Sequence, residues 1–466
     1  MKHDVIIIGA GPAGLSAAIE LGDAGANVTV VDEQAAPGGQ VYRAVESVTA
    51  DSPTIADWLG PDYVSGAGLV ARARGQANVE IRTGTSVWDI ARGTDDFGLG
   101  LVHGDDVSSM RAANVIVANG AMERPTPFPG WTLPGVMGIG AAQTLLKESG
   151  LLPTDDVVVA GSGPLLYLFT NQLLNAGVMP RAVLDTGPKW VQPSKWSDLL
   201  SAAWNHAGQL TKGLGWRSRI ARSGVPHVFG IDKLEAIGSP VLENVRYRQA
   251  GRWQEIATGL LLVHDGVVPN TVLTMAARCE HVWEAGQRYW RPKLTADGET
   301  THPGLWVAGD GGGIMGADAA RLQGRILGRR LATRLGLPGN VGREQEIRRD
   351  IDALDKLRRL RRFLDAQYPP AELFSHLDDE ITICRCEAVR AGEIRGLGKL
   401  GCTGPNQARA FSRAGMGPCM GRQCGVLVST LLAEETGATV ADVGYYSARA
   451  PLKPISIGQL ASLREQ

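Results

Sequence analysis

The stretch from Asp4 to Glu33 constrains the fold more than any other part of the sequence. It begins with an apolar, β-branched run, Val5–Ile8, of the kind that forms a strand buried on both faces. A glycine-rich turn and a helical segment follow, and a second apolar run, Val28–Val31, ends at two acidic residues. This order of elements predicts an α/β protein whose first domain is built on a parallel sheet.

Three glycines in the turn have distinct physical roles. Gly9 permits the tight turn, Gly11 lets the backbone approach a pyrophosphate, and Gly14 lets the helix pack closely on the strand. The helix N-terminus offers free N–H groups and a positive dipole end to phosphates. An acid at the end of the second strand accepts hydrogen bonds from a ribose; Asp32 has the better spacing and Glu33 is the alternative. The pattern alone also fits a glycine-rich turn, but with both strands, the helix and the acid it predicts dinucleotide binding.

Three later segments are predicted to return to this site. A Gly-Gly pair at residues 38–39 allows close backbone approach, although a plain loop would also contain it. A strand at residues 114–118 runs into Gly120. A buried strand at residues 305–308 ends at Asp310, whose carboxylate suits the ribityl hydroxyls of a flavin; an ordinary strand-to-helix turn is the alternative. The predicted cofactor-binding residues are Gly9, Gly11, Pro12, Ala13, Gly14, Asp32, Glu33, Gly39, Gln40, Val87, Gly120, Gly309 and Asp310.

A second nucleotide-type unit begins with the apolar run at residues 157–160. Gly161 and Gly163 follow it, but Leu166 stands where the third glycine belongs, so the helix and the strand are expected to be pushed apart there. The next strand ends at Asp185. The sequence therefore predicts a retained fold whose nicotinamide-binding function is degenerate.

Cysteines near the C-terminus form the sharpest ligand pattern in the chain. Cys384 and Cys386 are separated by one residue, and Cys419 and Cys424 by four. Thiolates in two such close pairs bind an iron–sulfur cluster or zinc. A one-residue gap is tighter than zinc sites use, and the glycines around the second pair can expose N–H groups to cluster sulfides, so a [2Fe–2S] cluster is favoured over zinc or free thiols. Cys279 and Cys402 stand alone and are predicted to be packed or surface thiols. The predicted metal ligands are Cys384, Cys386, Cys419 and Cys424.

Bulk composition excludes several classes of function. The chain has 466 residues, 44% hydrophobic and 20% charged, with a formal net charge of −1, which argues against a nucleic-acid or membrane-surface protein. No apolar run reaches transmembrane length, and the first strand begins too early for a signal peptide to precede it. Six cysteines without a secretory signal fit ligands or bystanders, so a cytoplasmic protein is expected.

The predicted architecture combines two dinucleotide-binding domains, as in disulfide-reductase-like flavoproteins, with a small, mainly helical cysteine domain. A basic, Trp-rich span at residues 189–222 is interpreted as a surface excursion or a docking surface. An amphipathic helix at residues 343–367 is expected to expose four arginines near residue 360. The expected domains are a discontinuous FAD-binding domain (1–125 and 290–336), a degenerate nucleotide-binding domain (126–289), a helical linker (337–375), a [2Fe–2S] domain (376–440) and an extended tail (441–466) that lies across a neighbouring subunit.

Taken together, the glycine fingerprint, the Gly-Gly-Gln segment at residues 38–40, the Gly309-Asp310 return and the cysteine tail resemble the A (alpha) subunit of heteromeric opine oxidases. Proline and D-hydroxyproline dehydrogenases and hydrogen cyanide synthase have similar subunits. The cysteine tail is also similar to bacterioferritin-associated ferredoxin domains. Asn119 departs from the family pattern, since a Thr often precedes the glycine there.

The resemblance implies an FAD-binding oxidoreductase subunit with a [2Fe–2S] cluster, acting on CH–NH donors through a D-amino-acid-oxidase-like partner subunit. It also implies an FMN between subunits and ATP or another nucleotide in the second domain of some members, and it admits a small third subunit. Two other functions compete with this one. One is a self-sufficient NAD(P)H-dependent flavin and iron–sulfur reductase; the other is a non-enzymatic scaffold with a structural nucleotide and zinc.

Overall fold

A computed structural model describes residues 3–191, 195–338, 343–374 and 377–463 of the chain. Within α8, the side chains of residues 197, 198 and 200–207 lie outside that description, among them Asp198 and Trp204 of the basic, Trp-rich span. No helix in the described ranges combines the length and the apolar character that crossing a bilayer requires.

The helices are spread along the whole chain. In chain order they are α1 (Pro12–Asp23), α2 (Val45–Asp51), α3 (Pro53–Leu59), α4 (Pro61–Val64), α5 (Gly66–Arg74), α6 (Ile139–Ser149), α7 (Pro164–Asn175), α8 (Trp196–Arg222), α9 (Val272–Ala276), α10 (Ala317–Arg334), α11 (Glu344–Gln367), α12 (Ala391–Lys399), α13 (Pro405–Ser412), α14 (Gly425–Thr436), α15 (Val440–Val443) and α16 (Ile457–Ala461).

The strands are short and are concentrated before residue 310. In chain order they are β1 (Val5–Ile8), β2 (Val28–Val31), β3 (Val79–Arg82), β4 (Thr85–Arg92), β5 (Phe97–His103), β6 (Asp106–Ala112), β7 (Val115–Val117), β8 (Ala121–Glu123), β9 (Val136–Gly138), β10 (Val157–Ser162), β11 (Ala182–Asp185), β12 (His227–Phe229), β13 (Ile231–Ile237), β14 (Asn244–Gln249), β15 (Arg252–Ala257), β16 (Leu260–Asp265), β17 (Val267–Pro269), β18 (His281–Glu284), β19 (Tyr289–Pro292), β20 (Leu305–Val307), β21 (Thr382–Cys384) and β22 (Val389–Arg390).

The first sheet is parallel and has the strand order β20-β7-β1-β2-β3. Its central strands are buried on both faces, as their unbroken apolar sequences predict. Strand β20 joins β7 although some 190 residues separate them, so the two ends of the predicted discontinuous domain meet in one sheet. Helices α1 and α10 pack against each other on this sheet and bury its apolar face. The predicted α/β fold with two nucleotide-type sheets is confirmed.

A second parallel sheet follows the order β12-β11-β10-β16-β9. The antiparallel sheet β13-β14-β15 lies beside it, and the sheet β4-β5-β6 belongs to the first half of the chain. The chain crosses between the two halves on two short strands, β8 and β17, which pair antiparallel. This crossover places both nucleotide-type units around one cleft.

The C-terminal part consists of the hairpin β21-β22 and helices α12 to α15, packed on the second sheet's cluster of buried residues. Its last segment differs from the prediction of an extended tail across a neighbour. Residues 451–454 lie on this chain's own strand β4, with Leu452 buried, and α16 follows. The reason is tertiary packing: Leu452 joins the buried apolar cluster that includes Val87 and Ile90, and its N–H donates to the Trp88 carbonyl oxygen.

Candidate functional site

The carboxyl edge of the first sheet borders a cavity of about 1430 Å³, hereafter the cofactor cavity. Ligands of open α/β sheets bind at this edge. Gly14 is the one predicted cofactor residue that does not line the cavity, because it lies in the helix–strand contact, where an added Cβ would stand 1.9 Å from the Gly9 carbonyl oxygen. The predicted residues that do line it are Gly9, Gly11, Pro12, Ala13, Asp32, Glu33, Gly39, Gln40, Val87, Gly120, Gly309 and Asp310.

A cradle of bare backbone forms where the first glycine turn meets the Gly-Gly pair. Gly11 caps α1 without a side-chain hydrogen bond, which leaves the first amides of the helix for a ligand. Gly39 has φ of +60°, and a Cβ on it would stand 2.8 Å from the Gly11 Cα. Two glycine backbones are therefore in contact at the helix N-terminus, a geometry that suits a pyrophosphate.

The two candidate ribose acids differ sharply in their surroundings. Both carboxylate oxygens of Asp32 already accept backbone N–H groups, from Ala10 at 2.5 Å and from Gln34 at 2.7 Å. Burial raises the pKa of Asp32, although those two N–H groups act in the opposite direction. Glu33 is exposed and lines the cavity with its carboxylate 2.5 Å from the Lys453 Nζ. Asp32 thus fixes the turn, and the geometry favours Glu33 as the ribose acceptor.

Asp310 anchors the far end of the cavity. Its Oδ1 accepts N–H groups from Met315 at 2.8 Å and Gly316 at 2.9 Å, which fixes the start of α10. Burial raises the pKa of Asp310. Gln323, which no local pattern singles out, accepts the Gly309 N–H at 2.8 Å and so positions the residue that precedes Asp310.

Four amide side chains that line the cavity have a buried oxygen without a hydrogen-bond partner among the described residues: Asn119, Asn171, Asn270 and Gln367. Asn119 donates to the Asn270 carbonyl oxygen at 3.0 Å, so its amide is held while its oxygen is left open. A buried acceptor without a donor is costly, and a ligand donor would satisfy it. These oxygens fit a polar cofactor.

The second nucleotide unit offers no comparable acid at the described end of its second strand. Asp185 is fully buried, receives the Tyr167 hydroxyl, and accepts the Gly187 N–H at 2.7 Å. The substituted position, Leu166, is fully buried as well. An incoming ribose would have to displace Tyr167, which supports the interpretation of this unit as degenerate.

The basic, Trp-rich span becomes the long helix α8, which packs on α11 through Leu210, Leu360 and Phe363. Arg217 turns inward, because its guanidinium lies 5.1 Å from the Phe229 ring centre and donates to the Lys189 carbonyl oxygen at 2.6 Å. The interpretation of this span as a surface excursion or a docking surface stays a prediction, although Arg217 is only partly exposed. The expectation that α11 exposes its four arginines is wrong for Arg361, whose side chain is 24% exposed and lies beside Asp365.

A buried lysine fixes the Gly-Gly segment from the other side. Lys147 on α6 donates to the carbonyl oxygens of Gln40 at 2.9 Å and Val41 at 3.1 Å, and to the Gln143 Oε1 at 3.1 Å. Burial lowers the pKa of Lys147 to about 7. Nothing in the sequence around Lys147 distinguishes it from a surface lysine in an amphipathic helix.

The crossover between the two halves is held by two charged residues. The Glu123 carboxylate contacts His264 Nδ1 at 2.7 Å and accepts the Gly140 N–H at 3.0 Å. The neighbouring Arg124 is buried and donates to three backbone carbonyl oxygens, the shortest contact being 2.6 Å, to residue 287. Asp265 lies beside Arg124 at 3.8 Å, and burial raises the pKa of Asp265 to about 6.

The four predicted metal ligands are brought together in the C-terminal part. Cys384 and Cys424 are buried, Cys419 is partly buried and Cys386 is exposed. A hydrogen bond from the Cys424 thiol, followed by backbone N–H groups that include Gly415, lowers the pKa of Cys384 to about 6. Cys386 and Cys419 form the second contact pair. Cys279 and Cys402 are both buried away from this set, as predicted for packed thiols.

The arrangement in pairs bears on the choice of metal. The described residues contain no group of three or more His, Cys, Asp or Glu side chains placed around one point. A zinc ion requires four ligands around one point, whereas a [2Fe–2S] cluster takes four cysteines in total, shared between two irons. Gly417 touches Cys386, since a Cβ on this glycine would stand 2.2 Å from the cysteine Cβ. Bare backbone beside the thiols suits the two-iron cluster that the cysteine spacing predicts, and the choice between that cluster and zinc stays a prediction.

The cysteine set and the cofactor cavity adjoin. Arg422 lines the cofactor cavity, and its Nε donates to the Cys419 carbonyl oxygen at 3.0 Å. Arg422 also lines a smaller cavity of about 270 Å³. Aromatic rings connect that space to the cysteines: Trp290 and Tyr445 have centroids 6.5 Å apart, and Tyr445 and Tyr446 have centroids 5.9 Å apart.

Comparison with known proteins gives the class first. Residues 3–209 match the family model "Pyridine nucleotide-disulphide oxidoreductase", and residues 400–464 match "Sarcosine oxidase A3 domain". The solved L-proline dehydrogenase from P. horikoshii shares the fold with a TM-score of 0.69 at 20% identity, covering 99% of this chain and 79% of that one. A T. acidophilum thioredoxin reductase, at a TM-score of 0.51 and 19% identity, covers 72% of this chain and 99% of its own. The protein is thus an oxidoreductase of the flavoprotein class.

Sequence relatives then identify the family. The alpha-type (A) polypeptide of the opine oxidase of Agrobacterium tumefaciens (strain Ach5) is 39% identical over 99% of this chain and 92% of its own length. The corresponding opine oxidase polypeptide of Rhizobium meliloti is 38% identical over 99% and 88%. Hydrogen cyanide synthase subunit HcnB of Pseudomonas protegens is 31% identical over 98% and 97%. The chain belongs to the family of opine oxidase A-type subunits, as its motifs predict.

Proposed function

We propose that this chain is the FAD- and [2Fe–2S]-containing electron-transfer subunit of a heteromeric dehydrogenase or oxidase of amines or imino acids, of the opine, proline or hydroxyproline type. The observation that carries the proposal is the position of Arg422, which joins the cofactor cavity to the cysteine set within one chain. Two redox sites that adjoin in this way suit the transfer of electrons between them.

The residues of the cofactor cavity fit FAD. The glycine cradle at Gly11 and Gly39 would hold the pyrophosphate, Glu33 the ribose, and Asp310 the polar chain near the start of α10. When bound, FAD supplies two-electron chemistry and the cluster supplies one-electron chemistry, while the protein positions both. The open oxygens of Asn119 and Asn270 would then receive hydrogen bonds from the cofactor.

Four thiols in two contact pairs would hold the cluster. Backbone N–H groups directed at Cys384 stabilise its thiolate, as hydrogen bonds to sulfur do in iron–sulfur proteins. Cys386 is the exposed member of the set, so one edge of the cluster would be near solvent or a partner.

The substrate is proposed to be oxidised on a partner subunit that resembles D-amino-acid oxidases. Within this chain Glu123 lines the cavity and its carboxylate contacts the imidazole of His264, which lies behind the wall. That carboxylate is already engaged by the Gly140 N–H, which leaves it a structural task. A self-sufficient NAD(P)H reductase fits less well, because Asp185 is buried and bonded to Tyr167.

The test is anaerobic titration of the purified chain with candidate opines, L-proline and hydroxyproline, alone and with a flavoprotein subunit of the D-amino-acid-oxidase type. We expect the chain's flavin absorbance to bleach only when the partner is present. Rapid bleaching by NADPH without a partner would instead establish the reductase. Zinc without acid-labile sulfide would remove the electron-transfer role of the cysteine set.

A further inference from the structure

We infer that the C-terminal segment 451–454, hereafter the strap, completes the cofactor cavity, and that Lys453 is a binding residue for the adenosine half of the dinucleotide. The inference rests on the proposed function, since it concerns the same cavity. Leu452 and Lys453 both line that cavity, although the glycine fingerprint lies more than 400 residues earlier in the chain.

The strap is fixed by packing and by backbone hydrogen bonding. Leu452 is 1% exposed and packs among Val87 and its neighbours on β4. Its N–H donates to the Trp88 carbonyl oxygen at 2.6 Å. Beyond the strap, the Gln459 side chain donates to the Gly104 carbonyl oxygen at 2.9 Å, which holds α16 against β6. Contacts on both sides of Lys453 therefore hold it at the cavity.

The ammonium group of Lys453 lies at the position where the ribose acid acts. Its Nζ is 2.5 Å from the Glu33 carboxylate, and both side chains are partly exposed, at 31% and 45%. Glu33 follows directly on Asp32, whose carboxylate is occupied by backbone N–H groups. Lys453 is thus a cation that balances the exposed acid at this edge.

The charge arithmetic favours a binding role over a purely structural one. A dinucleotide brings a pyrophosphate with two negative charges into a cavity bordered by several cations as well as by acids, and among the acids Glu33 is the one that Lys453 contacts. Lys453 offsets the repulsion between the Glu33 carboxylate and the ligand, and Coulomb interactions of this kind persist over several ångströms at a partly buried site. The ligand group that we expect this site to recognise is a ribose-linked diphosphate, and the strap would lie over it.

The experiment measures FAD binding to the apoprotein by fluorescence quenching, with the whole chain. Lys453→Met should weaken FAD binding about fivefold, the upper end for a partly exposed ion pair, and Lys453→Arg should restore it. Lys399→Met, a matched loss of one exposed lysine on α12, should leave the dissociation constant unchanged.

Hydrogen exchange supplies an independent readout. A peptide that contains Leu452 should exchange several-fold more slowly in the FAD-loaded chain than in the apoprotein, because the strap closes over the ligand. Unchanged FAD affinity in Lys453→Met together with unchanged exchange at Leu452 would overturn the strap inference while leaving the proposed function standing. Failure of the wild-type chain to bind FAD at all would overturn the proposed function itself.

Discussion

A buried ion network ties the phosphate-binding helix α1 to helices α10 and α11, and it permits a quantitative prediction. Arg329 on α10 donates to the Glu20 carboxylate at 2.8 and 3.1 Å and to the Asp350 carboxylate at 2.9 Å. The three side chains are at most 10% exposed. Replacing Arg329 by Met keeps the apolar stem and leaves two buried carboxylates short of one cation.

Breaking a buried pair from one side costs about 3–5 kcal/mol, because the remaining charge is desolvated without compensation. Here Arg343 still contacts Glu20 at 2.9 Å, and Arg325 still contacts Asp350 at 3.0 Å. Because these two ion pairs remain, we expect Arg329→Met to lower the free energy of unfolding by about 3 kcal/mol, the lower end of that range. The measurement is urea denaturation of the holoprotein, followed by far-ultraviolet circular dichroism and by flavin fluorescence.

The neighbouring residue supplies a matched control. Arg330 lies on the same helix and contacts Glu344 at 3.2 Å, but these side chains are 32% and 50% exposed. Arg330→Met should therefore cost less than about 1 kcal/mol. Equal losses for the two variants, or no loss for Arg329→Met, would show that the network does not carry the coupling between α1 and its neighbours.

The cofactor cavity, the cysteine set and the buried lysine each give a further prediction. Gly11→Val should abolish stoichiometric FAD binding, measured as flavin per chain after desalting, because a side chain would enter the cradle opposite Gly39, whereas Gly208→Val on α8, where an added Cβ meets nothing, should keep full loading. Serine at Cys384, Cys386, Cys419 or Cys424 should reduce the visible absorbance and the reduced-state EPR signal of the cluster, while serine at Cys279 or Cys402 should not; equal losses at all six positions would count against the ligand set. Because the pKa of Lys147 is lowered to about 7 in the folded state, the folded chain binds fewer protons than the unfolded chain between about pH 7 and pH 10, so the contribution of Lys147 to stability should rise over that range. Lys147→Met should lack this rise in its urea midpoint, and a parallel pH profile of the two proteins would contradict the assignment.

Patterns that are local in sequence predicted the fold and much of the cofactor cavity. The run Val5–Ile8 is apolar at every position because both faces of its strand are covered. This pattern can be recognised in the sequence without knowing which strands lie beside it. Glycine is required at positions 9 and 14 by backbone geometry, whereas a Cβ at position 11 would meet Gly39 only at 3.7 Å, so glycine there serves the approach of a ligand. The domain boundaries and the individual ligand assignments remain predictions.

Features that depend on contacts between residues far apart in the sequence could not be predicted from local patterns. Glu123 and His264 are 141 residues apart, and neither has a local motif that points to the other. Leu452 lies in a proline-rich segment that lacks periodicity, so its burial against β4 depends on tertiary packing alone. The inward turn of Arg217 depends on its aromatic neighbours Tyr167 and Phe229, which belong to other elements.

The crossover residues Glu123 and Arg124 have a mechanical consequence. The paired strands β8 and β17 are the natural hinge of a protein with two nucleotide-type halves. Glu123 fastens one strand to the start of α6 and to β16, and Arg124 fastens it to the loop before β19. Rotation of one half against the other would break all of these contacts at once and strip a buried guanidinium of its acceptors, at a cost of several kcal/mol, on the order expected for a desolvated charge. These contacts therefore hold the hinge in place, and under the proposed function electrons would cross from the cavity to the cysteines over a fixed distance.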